Sequence, residues 1–353
     1  MNNYFCVLPF FGYEFSPRGG THCCLLPKNY DIEAIKQSMS AKERSTFCNA
    51  CWKLEDAGLI SDRKLKNSAL DFYWDRDINF IEQDAVAGNT KVIMAKIFTS
   101  NTCNSTCVTC NSGPSTAWAP LERKMGILPR PSSRMSEDKI SKLDFENLVS
   151  LNFVGGEPLY EKQNFYILDQ LVQHGNTNCF IQITTNGSIA LSPENESLLR
   201  KFKNINFNIS IDGTGKVFEY MRYPLKWDDV LLQLKLFRGI TDKVSVSYTT
   251  SNLNVMYHHD TTDWFTKQGL QYHYNPVISP SHFRPSALPA HAKEKILLSA
   301  NNQSKDFDFF LGQAHSDQDD IDFNTMMEVV AKQDYVKGIS FKDYLPEFAK
   351  LIS

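Results

Sequence analysis

Lys91-Val-Ile-Met-Ala-Lys-Ile-Phe-Thr-Ser-Asn-Thr-Cys103-Asn-Ser-Thr-Cys107-Val-Thr-Cys110 passes from an apolar run into three cysteines spaced C-x3-C-x2-C. The first half reads as a buried strand, the second as the loop that leaves its carboxyl end. Thiolates are soft ligands and select iron–sulfur clusters or zinc over hard cations. Three of them satisfy three irons of a four-iron cluster and leave the fourth open to a second molecule. A zinc site would need a fourth donor, and no histidine lies close by in the sequence to complete one.

Outward from this stretch, strand-like and helix-like segments alternate. The candidate strands are Val92–Phe98, Ser150–Val154, Phe180–Thr185, Ile205–Ile211, Val244–Thr250 and Gln271–Val277. Tyr160–His174 reads as a helix closed by Gly175. Ser192 opens a second, running to Lys203, with Pro193 at its first position. Trp227–Phe237 and Thr261–Lys267 supply two more, and Gly113–Ser136 is a polar, proline-rich insertion. Alternation of this kind predicts a parallel sheet covered by helices. Six units predict an α/β fold with a partial (β/α)6 TIM-like barrel over residues 91–300. In such sheets function gathers at the carboxyl ends of the strands. The cysteine loop, Gly155-Gly156-Glu157-Pro158, Thr185-Asn186-Gly187, Ser210-Ile-Asp212-Gly213, Thr250 with Asn252, and Pro276 all fall at such ends.

Residues 1–66 hold five of the nine cysteines, at 6, 23, 24, 48 and 51, around a helix expected near Asp31–Phe47. They read as a small cysteine-rich module, 67–90 as a connector, and 301–353 as a helical C-terminal extension. The 353 residues, 42% apolar and 22% charged with a formal charge of −3, are those of a soluble globular protein. That charge speaks against a dedicated nucleic-acid or membrane-surface role. No stretch approaches the roughly 18–20 apolar residues needed to cross a bilayer. Met1-Asn-Asn-Tyr-Phe carries no secretory signal, so the cytoplasm is the expected compartment. In that reducing setting two separate groups of cysteines point to two metal sites rather than disulfides.

The cysteine spacing together with Gly155-Gly156-Glu157-Pro158 resembles the radical S-adenosylmethionine enzymes. The resemblance implies a 4Fe-4S cluster on Cys103, Cys107 and Cys110. Its open iron would hold the amino and carboxylate groups of S-adenosylmethionine. Gly155–Pro158 would meet the amino group, Thr185, Asn186, Ser210 and Asp212 the ribose and methionyl groups, and Arg222 the carboxylate, as suits a guanidinium fork. The residue before the third cysteine, commonly large or aromatic in that family, is Thr109 here. Cover for adenine then falls to Trp118 or Val277.

Cys6-x2-Pro9-Phe10, Gly19-Gly20, Cys23-Cys24 and Cys48-x2-Cys51-Trp52 resemble the twitch-type auxiliary-cluster module of radical S-adenosylmethionine maturases. In relatives that module follows the barrel, and here it precedes it. A full SPASM domain needs more cysteines. The resemblance implies a second 4Fe-4S cluster on Cys6, one of Cys23 or Cys24, Cys48 and Cys51; a four-cysteine zinc knuckle has the same spacing and stays open. Glu55, Gly58, Ser61 and Arg63 follow in a familial pattern without assigned roles. The implied activity is reductive cleavage of S-adenosylmethionine, with flavodoxin or ferredoxin as reductant, and hydrogen abstraction from a peptide or protein side chain. A small molecule such as a sugar or amino-acid derivative is the alternative substrate. A non-catalytic zinc or electron-transfer protein is the alternative class.

Four features are set apart from the site. Cys179 is expected to be a buried core thiol. His258 and His259 are expected to be solvent-exposed or capping residues, and His273 or Tyr274 to face a cavity. Asp317–Asp322 is expected to be a solvated helix start.

Overall fold

Side chains buried at every second position build the central strands: Ile205, Phe207 and Ile209 in one, Ile181, Ile183 and Thr185 in another. The computed structural model describes residues 4–74, 78–299, 307, 311, 312 and 315–353. The expected extension 301–353, the connector 67–90 and the start of the 1–66 module therefore lie partly outside the described residues. The strands are β1 (Gly12–Ser16), β2 (Gly19–Thr21), β3 (Met94–Phe98), β4 (Ser150–Val154), β5 (Phe180–Thr185), β6 (Ile205–Ser210), β7 (Val244–Thr250) and β8 (Gln271–Pro276). They form an eight-stranded sheet in the order β2-β1-β3-β4-β5-β6-β7-β8. β1 and β2 make an antiparallel hairpin, whereas β1 with β3, β3 with β4, β4 with β5, β6 with β7 and β7 with β8 are parallel. The fold is mixed α/β, as the alternation predicts.

Two strands, β1 and β2, were not expected in this sheet. β1 runs parallel to β3, with Gly12 opposite Met94 and Phe15 opposite Ile97. The first parallel strand thus comes from the segment expected to stand apart as the cysteine-rich module. Its sequence, Gly-Tyr-Glu-Phe-Ser, has no β-branched residue, and only Gly12 is buried.

The helices that frame the sites begin with α1 (Ile32–Ser40), α2 (Asn49–Asp56), α3 (Asp62–Trp74), α4 (Lys162–Gln173) and α5 (Pro193–Leu199). They continue with α6 (Gly215–Met221), α7 (Trp227–Arg238), α8 (His258–Lys267) and α9 (Asp317–Lys337). Local chemistry sets their ends. Asp31 caps α1 through the amides of Glu33 and Ala34. Ser192 accepts from Asn195 at the start of α5, and Gly175, at φ 72°, ends the turn after α4 as expected. No helix among the described residues is long and apolar enough to cross a membrane.

Chain packing separates two compact units, Met1–Ser100 with Ser133–Ile183 and Ser192–Ile205, and Asn101–Ser132 with Thr184–Leu191 and Asn206–Ser353. The first contains a core of Phe5, Val7, Phe10, Ile35, Leu70 and Ile81. Cys179 is buried, as expected. In the second, α9 turns Met326, Val330, Gln333 and Lys337 inward, a stripe at helical spacing. Met326 and Val330 pack with Tyr220, Leu253, Phe283 and Phe348.

Two expectations are corrected here. The acidic start of α9 is not simply solvated. Asp319 and Asp322 are buried, and Arg284 lies 2.7 Å from Asp322 and 3.8 Å from Asp319. The helix start packs on the turns at 281–287, so its inward carboxylates need that guanidinium and the hydroxyl of Ser281, 2.9 Å from Asp322. His258 likewise is buried, while His259 is exposed as expected. Helix α8 begins three residues earlier than expected, which turns the His258 ring onto Phe307 and Tyr248, with centroids 4.4 and 5.5 Å away.

Burial, helped by His259, pushes the His258 imidazole down to about 4 from an ordinary 6.5. The unfolded chain therefore binds a proton at this residue before the folded chain does. The contribution is complete above pH 6.5 and is lost as pH falls toward 4. Urea titrations are expected to show a loss on the order of 3 kcal/mol across that window, and a flatter acid limb in His258→Phe. An acid limb identical in the two proteins would contradict the burial.

Candidate active site and the two cysteine groups

The segment from Asn101 to Cys110, in the second unit, has no regular secondary structure, so its shape depends on what holds its amides and carbonyls. Thr106 N donates to the carbonyl of Tyr223 at 2.6 Å and Val108 N to that of Met221 at 2.9 Å. On the acceptor side, Lys337 Nζ donates to the Thr106 carbonyl at 2.8 Å and Gln333 Nε2 to the Val108 carbonyl at 3.0 Å. Trp118 Nε1 donates to the carbonyl of Cys107 at 3.1 Å. Ser115 Oγ donates to the Ser105 carbonyl at 2.6 Å, and Thr116 Oγ1 accepts from Cys103 N at 3.3 Å. The peptide units around Cys107 are gripped from two sides.

The three thiols are half-buried neighbours. One hydroxyl, Ser105 Oγ, lies 3.3 Å from Cys103 Sγ and 3.5 Å from Cys107 Sγ. Burial, and then the nearby sulfurs of Cys107 and Cys103, push the Cys110 thiol up to about 12. Like charges crowd here, so thiolates need a cationic partner.

One cation is already in place. Arg222 follows α6, and its Nη2 donates to Asp212 Oδ1 at 3.0 Å. Its Nε lies 2.9 Å from Oδ2, in ion-pair range but poorly directed for a hydrogen bond. Thr249 N donates to Asp212 Oδ1 at 3.0 Å, and Arg222 Nη1 reaches Cys107 Sγ at 4.0 Å. Asp212 is buried and the Arg222 side chain is 12% exposed. Burial opposes the charge on Arg222, yet Asp212 and the Cys107 sulfur hold its pKa above the ordinary value. The fork expected to take a carboxylate of the cofactor thus already holds Asp212, with one nitrogen left toward the sulfur. Lys337 is the second cation. Burial lowers its ammonium to about 8, against the pull of Cys107, Asp334 and Cys110.

Asn186 and Thr185 are buried beside this loop's own residues. Asn186 Nδ2 donates to Asn104 Oδ1 at 2.8 Å, Asn104 Nδ2 to Ser188 Oγ at 2.8 Å, and Ser188 Oγ to Asn186 Oδ1 at 2.7 Å. A Cβ at Gly187 would come within 2.9 Å of Ile209 Cγ2 at φ 72°, so the turn after β5 needs glycine. Ser210 is half-buried at the end of β6. The expected adenine covers are committed elsewhere. The Trp118 ring is buried, with Lys337 Nζ 4.5 Å from its centroid, and Val277 packs on the second unit's core. His273 is exposed, and the Tyr274 ring packs against Tyr248 and His258.

In the first unit, the double glycine after β4 permits a close backbone approach. Gly155 has φ 129°, a Cβ there would lie 2.9 Å from the Ser100 carbonyl, and Gly156 N donates to that carbonyl at 3.1 Å. Glu157 is buried and its Oε1 accepts from Leu159 N at 3.0 Å, capping the turn at Pro158–Tyr160. Beneath, Ser100 Oγ donates to Glu161 at 2.6 Å and Thr99 Oγ1 to Asn164 at 2.8 Å. Beside Gly155 opens a cavity of about 620 Å³ whose walls include Glu14, Arg18, Gly19, Lys96 and Phe98. Lys96 Nζ lies 3.3 Å from Glu14 Oε1. No sequence pattern gave Glu14 and Arg18 a part in a site, because the hairpin that carries them was not expected in the sheet.

The N-terminal cysteines also converge. Cys6, Cys23, Cys48 and Cys51 line one small cavity with Leu26 and Phe47. Cys48 precedes α2 and Cys51 lies in its first turn, three residues apart and so on one face. Cys6 is held between neighbours. Arg63 Nη1 and Asn67 Nδ2 donate to the Phe5 carbonyl at 2.7 and 2.9 Å, and Val7 N donates to Asn67 Oδ1 at 2.9 Å. Glu55, Ser61 and Arg63 now have a visible role. Arg63 Nε donates to Glu55 at 3.0 Å and its guanidinium lies 4.5 Å from the Trp52 ring centroid, a buried latch behind the cysteines. Burial raises the pKa of Cys6, and pushes Cys48 up to about 11. Cys24 is exposed, and its amide donates to Glu14 Oε1 at 2.9 Å. Among the described residues, no three His, Cys, Asp or Glu side chains are gathered as a site for a metal ion.

The sequence matches no protein-family model and no curated protein. Solved structures give remote likenesses. Native anSMEcpe with bound AdoMet and Cp18Cys peptide is 15% identical over 54% of this chain and 54% of its own, at a TM-score of 0.40. SuiB of Streptococcus suis bound to S-adenosylmethionine is 12% identical over 77% of this chain and 62% of its own, at 0.42. The radical S-adenosylmethionine methyltransferase TsrM of Kitasatospora setae, with tryptophan and a cofactor analogue, is 13% identical over 52% and 35%, at 0.35. The chain therefore spans only about a third to three fifths of these structures. Identities and scores this low leave function to be argued from the chain's own residues.

Asp212→Ala strands a buried guanidinium and is expected to cost about 3–5 kcal/mol in the metal-free protein. Asp212→Leu combined with Arg222→Met is expected to recover most of it. Urea unfolding reads both, and a loss under about 1 kcal/mol in the single variant would rule out a buried, dependent pair.

Proposed function

We propose that the chain is a radical S-adenosylmethionine enzyme built on a partial barrel, with a 4Fe-4S cluster ligated by Cys103, Cys107 and Cys110. Gly155, Gly156, Glu157, Pro158, Thr185, Asn186, Ser210, Asp212 and Arg222 are the residues proposed to bind S-adenosylmethionine. The observation that carries this is a loop of three thiols whose backbone is fixed and whose surroundings are cationic. Arg222 lies 4.0 Å from Cys107 Sγ, and Lys337 is bonded to the carbonyl just before that cysteine. A thiolate-bound cluster is anionic, and buried cations are what such a group requires. Three soft sulfur donors suit such a cluster, which takes one thiolate on each of three irons and so does not need the sulfurs gathered about a single ion.

When bound, cluster and S-adenosylmethionine would supply reductive cleavage of the sulfonium and, through the 5′-deoxyadenosyl radical, the capacity to abstract hydrogen from a substrate. The chain's part is to bind and to shield. Asp212 fixes the orientation of Arg222, and the Asn104–Asn186–Ser188 triangle ties the turn after β5 to the cysteine loop. At Gly155 the missing side chain lets the backbone lie close against the Ser100 carbonyl and the Phe98 ring, which fixes the turn proposed to meet S-adenosylmethionine. The adjoining cavity, with Arg18 and Lys96 in its wall, would receive the substrate, proposed to be a peptide or protein side chain. Flavodoxin or ferredoxin is the proposed electron donor.

Cys6, Cys23, Cys48 and Cys51 are proposed to ligate a second 4Fe-4S cluster. Four thiolates close it, so its roles are electron transfer and stapling of a segment with a small core. Convergence of these four on one cavity whose lining does not include Cys24, whose amide is tied to Glu14, supports Cys23 over Cys24 as the fourth ligand.

Two outcomes follow for anaerobically reconstituted protein. Replacing Cys103, Cys107 and Cys110 by Ala is expected to abolish 5′-deoxyadenosine formation while the N-terminal iron stays; continued product formation would remove the loop from the chemistry. In that background Cys24→Ser is expected to keep the remaining iron and Cys23→Ser to lose it. Equal iron in both would contradict the ligand choice, and zinc in place of iron would make the module a knuckle.

A further inference from the structure

Lys337 is the last residue of α9, followed by Gly338 in the left-handed conformation that ends the helix. Its side chain is directed inward and is 9% exposed. The ammonium donates to the Thr106 carbonyl at 2.8 Å and lies 4.5 Å from the centroid of Trp118 and 5.7 Å from that of Tyr223. Among the described residues it makes no ion pair with a carboxylate. Asp334, one turn earlier, is engaged by the Tyr220 hydroxyl at 2.9 Å and Phe341 N at 2.7 Å. Asp334 adds negative charge from a distance, but a buried ammonium with no carboxylate in direct contact is costly to keep. Carbonyl and ring faces soften that cost but do not balance the charge.

What this cation faces is the cysteine loop. Gln333, one turn back on the same stripe of α9, holds the Val108 carbonyl at 3.0 Å. Lys337 and Gln333 therefore grip the peptide units on either side of Cys107, 231 and 225 residues away in sequence. Trp118, which donates to the Cys107 carbonyl itself, is the ring on which the ammonium rests.

We propose that Lys337 is a positioning residue for the cluster at Cys103, Cys107 and Cys110, supplying a fixed counter-charge that favours its reduced state. This rests on the cluster assignment above. Adding an electron to a thiolate-bound cluster adds negative charge, and a buried cation nearby stabilises that charge most where the dielectric is low. Lys337 touches neither substrate nor sulfur, so its effect belongs to the potential and the loading of the cluster. No bond to it is made or broken.

The test uses the full chain, reconstituted anaerobically with iron and sulfide, and an EPR-monitored redox titration of the loop cluster. Lys337→Met and Lys337→Gln remove the charge; Lys337→Arg keeps it. The expected result is a more negative midpoint potential in Met and Gln at unchanged iron content, with Arg near wild type. If Met and Gln fold by circular dichroism but lose the loop iron while Arg retains it, the counter-charge role is likewise supported. A potential in Met and Gln equal to wild type at full iron would overturn it, as would iron loss in Arg equal to that in Met. Failure of the underlying cluster assignment looks different: wild type would then carry no more iron than the Cys103/Cys107/Cys110→Ala variant.

Discussion

The peptide that carries Cys107 is held on both edges, and the loop's chemistry depends on that hold. Its flanking amides pair with the carbonyls of Tyr223 and Met221, and its flanking carbonyls are taken by Lys337 and Gln333. A loop of irregular backbone normally exposes such groups to water. Here they are satisfied by protein, with Ser105 Oγ beside the sulfurs of Cys103 and Cys107. Arg222 adds direction, since Asp212 fixes its fork and one nitrogen remains toward Cys107.

The N-terminal segment does two jobs at once. Its hairpin extends the sheet, β1 lying parallel to β3, and so gives the cavity next to Gly155 one of its walls. A few residues on, the chain supplies four cysteines to a second cavity, closed from behind by Arg63 bound to Glu55 and to the Phe5 carbonyl. A segment with a small core gains order from such buried polar latches and from whatever the thiols bind. Both functions draw on the same short stretch around Cys23-Cys24, where one sulfur faces inward and the next residue's amide is tied to Glu14.

Much of this was legible locally. Strands β4, β5 and β7 coincide with their sequence expectations, because alternating burial leaves a period-two pattern. Gly175 and Ser192 mark helix boundaries through chemistry confined to a few residues. What escaped was set at a distance. Nothing near Gly12 announces a partner at Met94, and nothing in Gln-Asp-Tyr-Val-Lys337 points to Thr106. The acidic run at 317–322 reads as a solvated helix start because carboxylates favour that position anyway; the burial of Asp319 and Asp322 depends on Arg284, which spacing does not reveal. Trp118 and Val277 read as free apolar surface until the structure engages one with Lys337 and the other with the core.

The most direct measurement is the EPR spectrum of the reduced, reconstituted protein before and after addition of S-adenosylmethionine. An open iron at the Cys103–Cys107–Cys110 loop is expected to give a cluster signal whose g-values shift when the cofactor is added. A fully reduced cluster with a spectrum indifferent to S-adenosylmethionine would contradict the assignment of that loop.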